Sequence, residues 1–231
     1  MERAGASPVG LLSKRRGGTR NDYGAPVMRV YHREHAGRPV RVVWVLEELD
    51  EPYELTVMNW EEGQSQEHLA RHPLGRVPVL EDDQGFLFES AAICLHLAEL
   101  HPEPGLLPPP ATHDRALVYQ WATFAPAELE PALIESAIFG QSDPERAAKA
   151  RHRFGVAAEA VARALDGTDY LVAGHFGVAD VLVGTALAFT ARAGFAEELS
   201  PTLNDYIARL KQRPAYQRAA ERTSLSLAGS G

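Results

Sequence analysis

Eleven residues divide this chain in two. His101 to Ala111 reads His-Pro-Glu-Pro-Gly-Leu-Leu-Pro-Pro-Pro-Ala and holds five prolines. Proline lacks a backbone N–H and fixes φ, so neither a helix nor a central strand passes through such a run. It is a short, stiff linker, set here at residues 106–111. Every segment that reads as a strand lies before it, and every segment after it reads as helix. A chain of 231 residues is long enough for two such units. The expected fold is an α/β domain over 28–105 followed by an all-α domain over 112–231.

The α/β half begins with a short strand at Val30-Tyr31 and a polar loop, His32 to Arg38. Pro39 suits the first turn of a helix reaching about Leu49, with Val40, Val43, Leu46 and Leu49 on one face and Glu47-Glu48 in solvent. Asp50-Glu51-Pro52 ends that helix, and Tyr53 to Met58 alternates as a strand. Glu61 to Arg71 reads as a weak polar helix or loop.

The densest signal follows. Gly75 to Ser90 reads G-R-V-P-V-L-E-D-D-Q-G-F-L-F-E-S. Val77-Pro78-Val79-Leu80 is an apolar strand entered through a proline, Asp82 to Gly85 is turn chemistry, and Phe86 and Phe88 are the beats of a second strand. Glu89-Ser90 then places an acid and a hydroxyl at a helix start, where unpaired N–H groups favour an anion. The order βαβαββα predicts a mixed, thioredoxin-like sheet with helices on its faces.

Beyond the linker, Asp114 to about Ile138 is a long helical pattern that Pro126 and Pro131 should kink or shorten. Pro144 to Leu165 is alanine-rich and helical. Phe176 to Thr190 is apolar nearly all round and should be the buried central helix. Two helices, Pro201 to Arg213 and Pro214 to Arg222, complete the bundle.

Arg76-Val77-Pro78-Val79-Leu80 and Glu89-Ser90-Ala91-Ala92-Ile93, at this spacing, resemble the glutathione-site half of the glutathione transferase family. The α/β half, linker and α-helical half extend the resemblance over about Met28 to Arg222. It includes Tyr170 to Gly174 and the start of the central helix, Gly177-Val-Ala-Asp180. The family has Ser or Thr where Gly177 stands. Asp180 can still accept from the backbone N–H of the cap, but a glycine returns no side-chain bond, so weaker capping is expected.

The resemblance implies that glutathione is a co-substrate and that these residues hold it. Glu89 takes the γ-glutamyl ammonium, and Ser90 with the helix N–H groups takes its carboxylate. Val77, held before a Pro78 expected to be cis, contacts the cysteinyl backbone. Gln64, His72 and Arg76 are candidates for the glycyl carboxylate. Family members place Tyr, Ser or Cys after the first strand to hold the sulfur as a thiolate. Here the loop is His32-Arg-Glu-His-Ala-Gly-Arg-Pro39, with Ala36 or Gly37 where serine would fall. Arg38, then His35, are the remaining candidates, helped by the helix N-terminus. Tyr119, and less so Trp121, are candidates for the acceptor site on the helical half.

Three functions stay open. One is a glutathione transferase acting on small electrophiles, another a glutathione-dependent disulfide reductase. The third is a non-catalytic binding or regulatory protein, which the missing Ser, Tyr or Cys makes a serious rival. The family also implies a homodimer.

Composition narrows the class. A net charge of −8 argues against nucleic acid as a partner. No apolar run approaches the roughly 20 residues that span a bilayer, so no membrane partner is expected. The single cysteine, Cys94, sits in an apolar helical run and reads as a small core hydrophobe in a reducing, cytoplasmic setting. No metal motif stands out among the nine histidines. Residues 1–27 carry a net +3, leaving −11 for the rest, and lack periodicity. They read as a disordered leader, with Met28 as the natural start of the folded unit.

Overall fold

A computed structural model describes residues 28–33, 36–193 and 199–223. The readings of residues 1–27 and of His35 lie outside the described residues.

The first half has the expected element order. Strand β1 (Met28–His32) is followed by helix α1 (Pro39–Leu49) and strand β2 (Tyr53–Val57). The polar segment after β2 resolves into two single-turn helices, α2 (Trp60–Gly63) and α3 (Gln66–Leu69). Strands β3 (Val79–Glu81) and β4 (Phe86–Phe88) then lead into helix α4 (Ser90–Leu100). The sheet order is β2-β1-β3-β4. β1 runs parallel to β2 and antiparallel to β3, with Val30 opposite both Leu55 and Leu80. Val30 and Leu80 join α1 and α4 in one apolar core.

Helix α1 is not amphipathic in place. Val40, Val42, Val43, Trp44, Val45 and Leu46 are all buried. The sheet and α4 cover one side, and the helical half covers the other. Glu47 and Glu48, expected in solvent, are instead ion-paired. Arg213 Nε lies 2.6 Å from Glu48 Oε1, and Arg218 Nε lies 2.6 Å from Glu47 Oε2. The arginines come from α11 (Pro214–Arg222) and from the residue just before it, so the last helix closes over the first.

The long pattern after the linker is divided by a π-helical turn at the prolines. Helix α5 (His113–Phe124) passes through a π-helical turn, Ala125–Leu129, into α6 (Glu130–Phe139). Pro126 and Pro131 cannot donate, and the ladder shifts so that Glu130 N–H donates to Ala125 C=O. Helix α7 (Pro144–Ala164) packs along α6. Helix α8 (Val178–Ala188) is buried on every side, as its composition requires. Helices α9 (Thr190–Ala193) and α10 (Pro201–Lys211) complete the half.

The start of α8 explains Gly177. Gly177 N–H donates to Asp180 Oδ2 at 2.9 Å, as expected. The missing hydroxyl is replaced in part by the linker, because Val178 N–H donates to Leu106 C=O at 3.0 Å. A Cβ on Gly177 would lie 2.7 Å from that same oxygen, so the close approach requires glycine.

Candidate functional site

Strand pairing gathers the polar ends of the α/β half. Val79 of β3 pairs with Tyr31 on one side and Phe88 on the other. The residues before β3 therefore lie between the loop leaving β1 and the Glu89–Ser90 step leaving β4. The Val77–Pro78 bond in that gap is cis. Buried His68 holds the gap from behind, with Nε2 2.9 Å from the Arg76 carbonyl oxygen.

Glu89 has φ +71° and ψ +110°, a backbone setting that side-chain-bearing residues seldom adopt. Such strain persists where the surroundings fix it, and it clusters at binding sites. It leaves the Glu89 carboxylate exposed and starts α4 at Ser90 without a side-chain cap. The leading N–H groups of α4 thus lack a side-chain partner and suit an anion.

The two halves meet beside this gap. Gly37 lets the β1–α1 loop lie against Phe189, since a Cβ there would collide with the Phe189 ring. Next to it opens a cleft of about 350 Å³ with apolar walls from Leu133, Ile134, Ala137, Phe189 and Ala193. One polar feature lines it, the Arg38–Glu130 pair, with Arg38 Nε 2.7 Å from Glu130 Oε2.

Glu130 also holds Arg41, a residue the sequence reading passed over. Arg41 is 1% exposed, and its Nη1 lies 2.7 Å from Glu130 Oε1. Its Nε donates to Thr185 Oγ1 at 2.6 Å, Nη2 to Leu182 C=O at 3.1 Å, and Nη1 to Ser90 Oγ at 3.4 Å. Burial pushes the Glu130 carboxyl up, but the Arg41 and Arg38 guanidiniums outweigh it and hold it below the usual range. Two guanidiniums share one carboxylate, so the cluster carries one surplus positive charge between Ser90 and the cleft. Periodicity gives no sign of Arg41, because a buried arginine needs partners that only the fold supplies.

Residues 26–99 match the family model for the glutathione S-transferase N-terminal domain. A probable glutathione S-transferase GSTF2 from Oryza sativa subsp. japonica is 27% identical over 206 residues, covering 84% of this chain and 95% of that protein. The crystal structure of a glutathione transferase from Methylococcus capsulatus superposes with a TM-score of 0.74 at 26% identity, covering 87% of this chain and all of that one. The glutathione transferase URE2P8 from Phanerochaete chrysosporium shares the fold, with a TM-score of 0.78 at 21% identity over 85% of this chain and 95% of that one. The first half thus matches the N-terminal domain of the glutathione S-transferases, and the chain is similar to members of that family over most of its length.

Within that family fold, the structure brings together Val77, Pro78, Glu89 and Ser90 from the sequence reading, with Arg38 at the adjoining cleft. Gln64 approaches from α2's end, where its Nε2 would touch a Cβ placed on Gly75 at 2.7 Å. Arg76 is exposed at the mouth of the gap. His72 corrects the expectation of a carboxylate ligand. It is buried, its Nδ1 accepts from Leu74 N–H at 3.1 Å, and its ring packs 4.7 Å from Phe88. Burial lowers its pKa, so it is a poor source of positive charge.

The acceptor candidates also differ from expectation. Trp121 is a core residue, 7% exposed and edge-on to Phe124 at 5.2 Å. Tyr119 is exposed beside Arg115 and does not line the cleft. The walls come instead from α6 and the α8–α9 junction, whose aliphatic residues carry no distinctive spacing. Cys94 is fully buried, and burial pushes its thiol up to about 12, which suits a core hydrophobe and not a nucleophile. Among the described residues no cluster could hold a metal ion, and no helix is long and apolar enough to cross a membrane.

Proposed function

We propose that this protein binds reduced glutathione and adds its thiolate to small, largely apolar electrophiles held in the interdomain cleft. The observation that carries the reading is the convergence of cis Val77–Pro78, Glu89 and Ser90 at one end of the sheet, with Ser90 linked through Arg41 to Glu130 of the cleft. Glu89 takes the γ-glutamyl ammonium. The Ser90 hydroxyl and the α4 N–H groups take the carboxylate, and the Val77 backbone pairs with the cysteinyl unit.

In place of a Ser, Tyr or Cys, the surplus charge of Arg38 and Arg41 over Glu130 favours the thiolate, together with the uncapped start of α1. Arg38 is the candidate catalytic residue, since it lines the cleft. Arg41 is a positioning residue beneath Ser90. Acceleration then comes from thiolate formation and from proximity to an electrophile on the apolar walls. The same reading takes the protein as a cytoplasmic homodimer, on the strength of the family alone.

Retention on immobilised glutathione, measured with turnover of an aryl halide and of a model disulfide, tests it. Retention with aryl halide turnover is expected. Turnover of the disulfide alone would assign a reductase. Retention without either turnover would assign a binding protein, the reading favoured by Arg38 being tied to Glu130. No retention and no turnover would remove all three.

A further inference from the structure

Leu74, Gly75 and Arg76 lead directly into the cis Val77–Pro78 bond, and two buried histidines hold all three. Leu74 N–H donates to His72 Nδ1 at 3.1 Å. Gly75 N–H donates to His72 C=O at 2.9 Å, and Arg76 C=O accepts from His68 Nε2 at 2.9 Å. Pro73, which precedes them, has no N–H to add. Gly75 has φ +62°, and a Cβ there would lie 2.6 Å from Gly63 C=O, so the turn sits tight against the end of α2. His72 is itself fixed on two sides. Its N–H donates to His68 C=O at 2.8 Å, and its ring lies 4.7 Å from that of Phe88 on β4.

The two histidines differ in what a proton does to them. A backbone N–H can only donate, so His72 Nδ1 must offer Leu74 a lone pair. The neutral ring with its hydrogen on Nε2 does so, and the imidazolium, with a hydrogen on both nitrogens, does not. Protonation therefore breaks the Leu74 bond and sets two N–H groups against each other. His68 donates to a carbonyl through Nε2, which carries a hydrogen in either state, so that anchor does not depend on charge. Burial is the largest influence on His72 and lowers its pKa from 6.5. His68 and Arg76 push in the same direction, and Glu89, just past β4, opposes them. On the far side of His68, Tyr31 of β1 lies 6.1 Å away ring to ring, and the Arg71 guanidinium covers that Tyr31 ring at 4.4 Å. The closed turn thus holds the His72 proton less tightly than an open one. Closure is favoured above about pH 6.5 and is lost progressively as pH falls below it.

We propose that His72 is a positioning residue for co-substrate binding and makes it acid-sensitive: the neutral imidazole closes the Leu74–Arg76 turn beneath Val77, and the imidazolium releases it. The proposal rests on the glutathione reading above, in which the Val77 backbone pairs with the cysteinyl unit. His72 touches no ligand in this account. It acts through Leu74 and Gly75, one and two residues before Arg76, whose carbonyl is the last anchor ahead of Val77. Releasing the turn frees the backbone that must be held still for an extended peptide to pair with it.

The test crosses three proteins with pH. S-methylglutathione, whose sulfur cannot ionise, is titrated calorimetrically into the wild type, His72→Asn and His72→Leu at about pH 7.5 and about pH 5.5. An asparagine oxygen accepts from the N–H two residues on and does not titrate, so His72→Asn keeps the Leu74 bond at both values. Leucine offers no acceptor. Wild-type affinity should fall about three- to tenfold at the lower pH. His72→Asn should stay within about twofold of the wild-type value at the higher pH under both conditions. His72→Leu should be weak at both, near the wild type in acid. If His72→Leu does not fold, the wild type and His72→Asn decide the matter between them. A parallel fall in wild type and His72→Asn, or undiminished binding by a folded His72→Leu, would overturn the proposal and leave the glutathione reading standing. A wild type that binds at neither pH overturns both.

Discussion

Arg41 and Glu130 form a buried ion pair of 2.7 Å across the boundary between the α/β half and the helical half. Arg41 stands on α1 and Glu130 follows the π-helical turn, so each side chain is placed by a different half. The pair is also anchored at both ends. Arg41 bonds Thr185 and Leu182 in α8 and reaches Ser90, and Glu130 bonds Arg38. The two halves are thus joined by a charge network that ends on a proposed ligand residue at one side and on the cleft at the other.

Glu130→Gln should be strongly destabilising. Removing one partner of a buried pair leaves the other charge unpaired and typically costs about 3–5 kcal/mol. Arg41 is buried on all sides and cannot turn to water. Arg38→Gln should cost under about 1 kcal/mol, because the Arg38 side chain is partly exposed and Glu130 keeps Arg41. Urea unfolding of the three proteins checks this, and equal midpoints for the two variants would refute it.

The same carboxylate sets an acid limit. Glu130 has a folded pKa below its ordinary 4.5, so the folded state holds its proton less tightly than the unfolded chain. The stabilisation is present above the ordinary value and is lost as pH falls through the folded one. Wild-type stability should therefore decline from about pH 4.5 downward more steeply than that of Glu130→Gln. Parallel declines of the two unfolding midpoints between about pH 5 and 3 would show that Glu130 does not contribute.

The pattern of what was legible in the sequence has a physical cause. The cis Val77–Pro78 bond and the start of α4 at Ser90 depend on immediate neighbours, so a local reading finds them. The interruption at Pro126 and Pro131 is local too, although its π-helical form and the burial of Glu130 are not. Glu47 and Glu48 read as solvated because a helical wheel cannot see partners from the other end of the chain. Arg213 and Arg218 lie 165 and 171 residues away from those glutamates. Trp121 could read as core or as cleft for a related reason, since one helix face can meet either with the same spacing.

If Arg38 helps to hold the thiolate, its loss should appear as a pH effect on chemistry. Arg38→Met removes one guanidinium near the sulfur and should raise the acidic limb of the kcat/KM profile by about one pH unit. Activity should then fall about tenfold at pH 6.5 and approach the wild type near pH 9. Glutathione affinity at high pH should change little. A uniform loss across the pH range would assign Arg38 a structural role through Glu130.

Gly177 gives a test in which packing and capping preference oppose each other. Serine is among the best helix N-caps, and by that rule Gly177→Ser should gain a few tenths of a kcal/mol. The Leu106 carbonyl oxygen stands 2.7 Å from any Cβ added there, and it already accepts from Val178 N–H. Neither atom can yield, since one is linker backbone and the other begins the buried helix α8. The steric term should win, and the variant should lose about 1–3 kcal/mol. Gly155 on α7 is the matched control, because it is exposed and a Cβ there meets nothing within 4 Å. Gly155→Ala should gain about 0.5–1 kcal/mol through helix propensity. Thermal unfolding that shows both substitutions moving stability in the same direction would mean that Leu106 does not cap α8 as described.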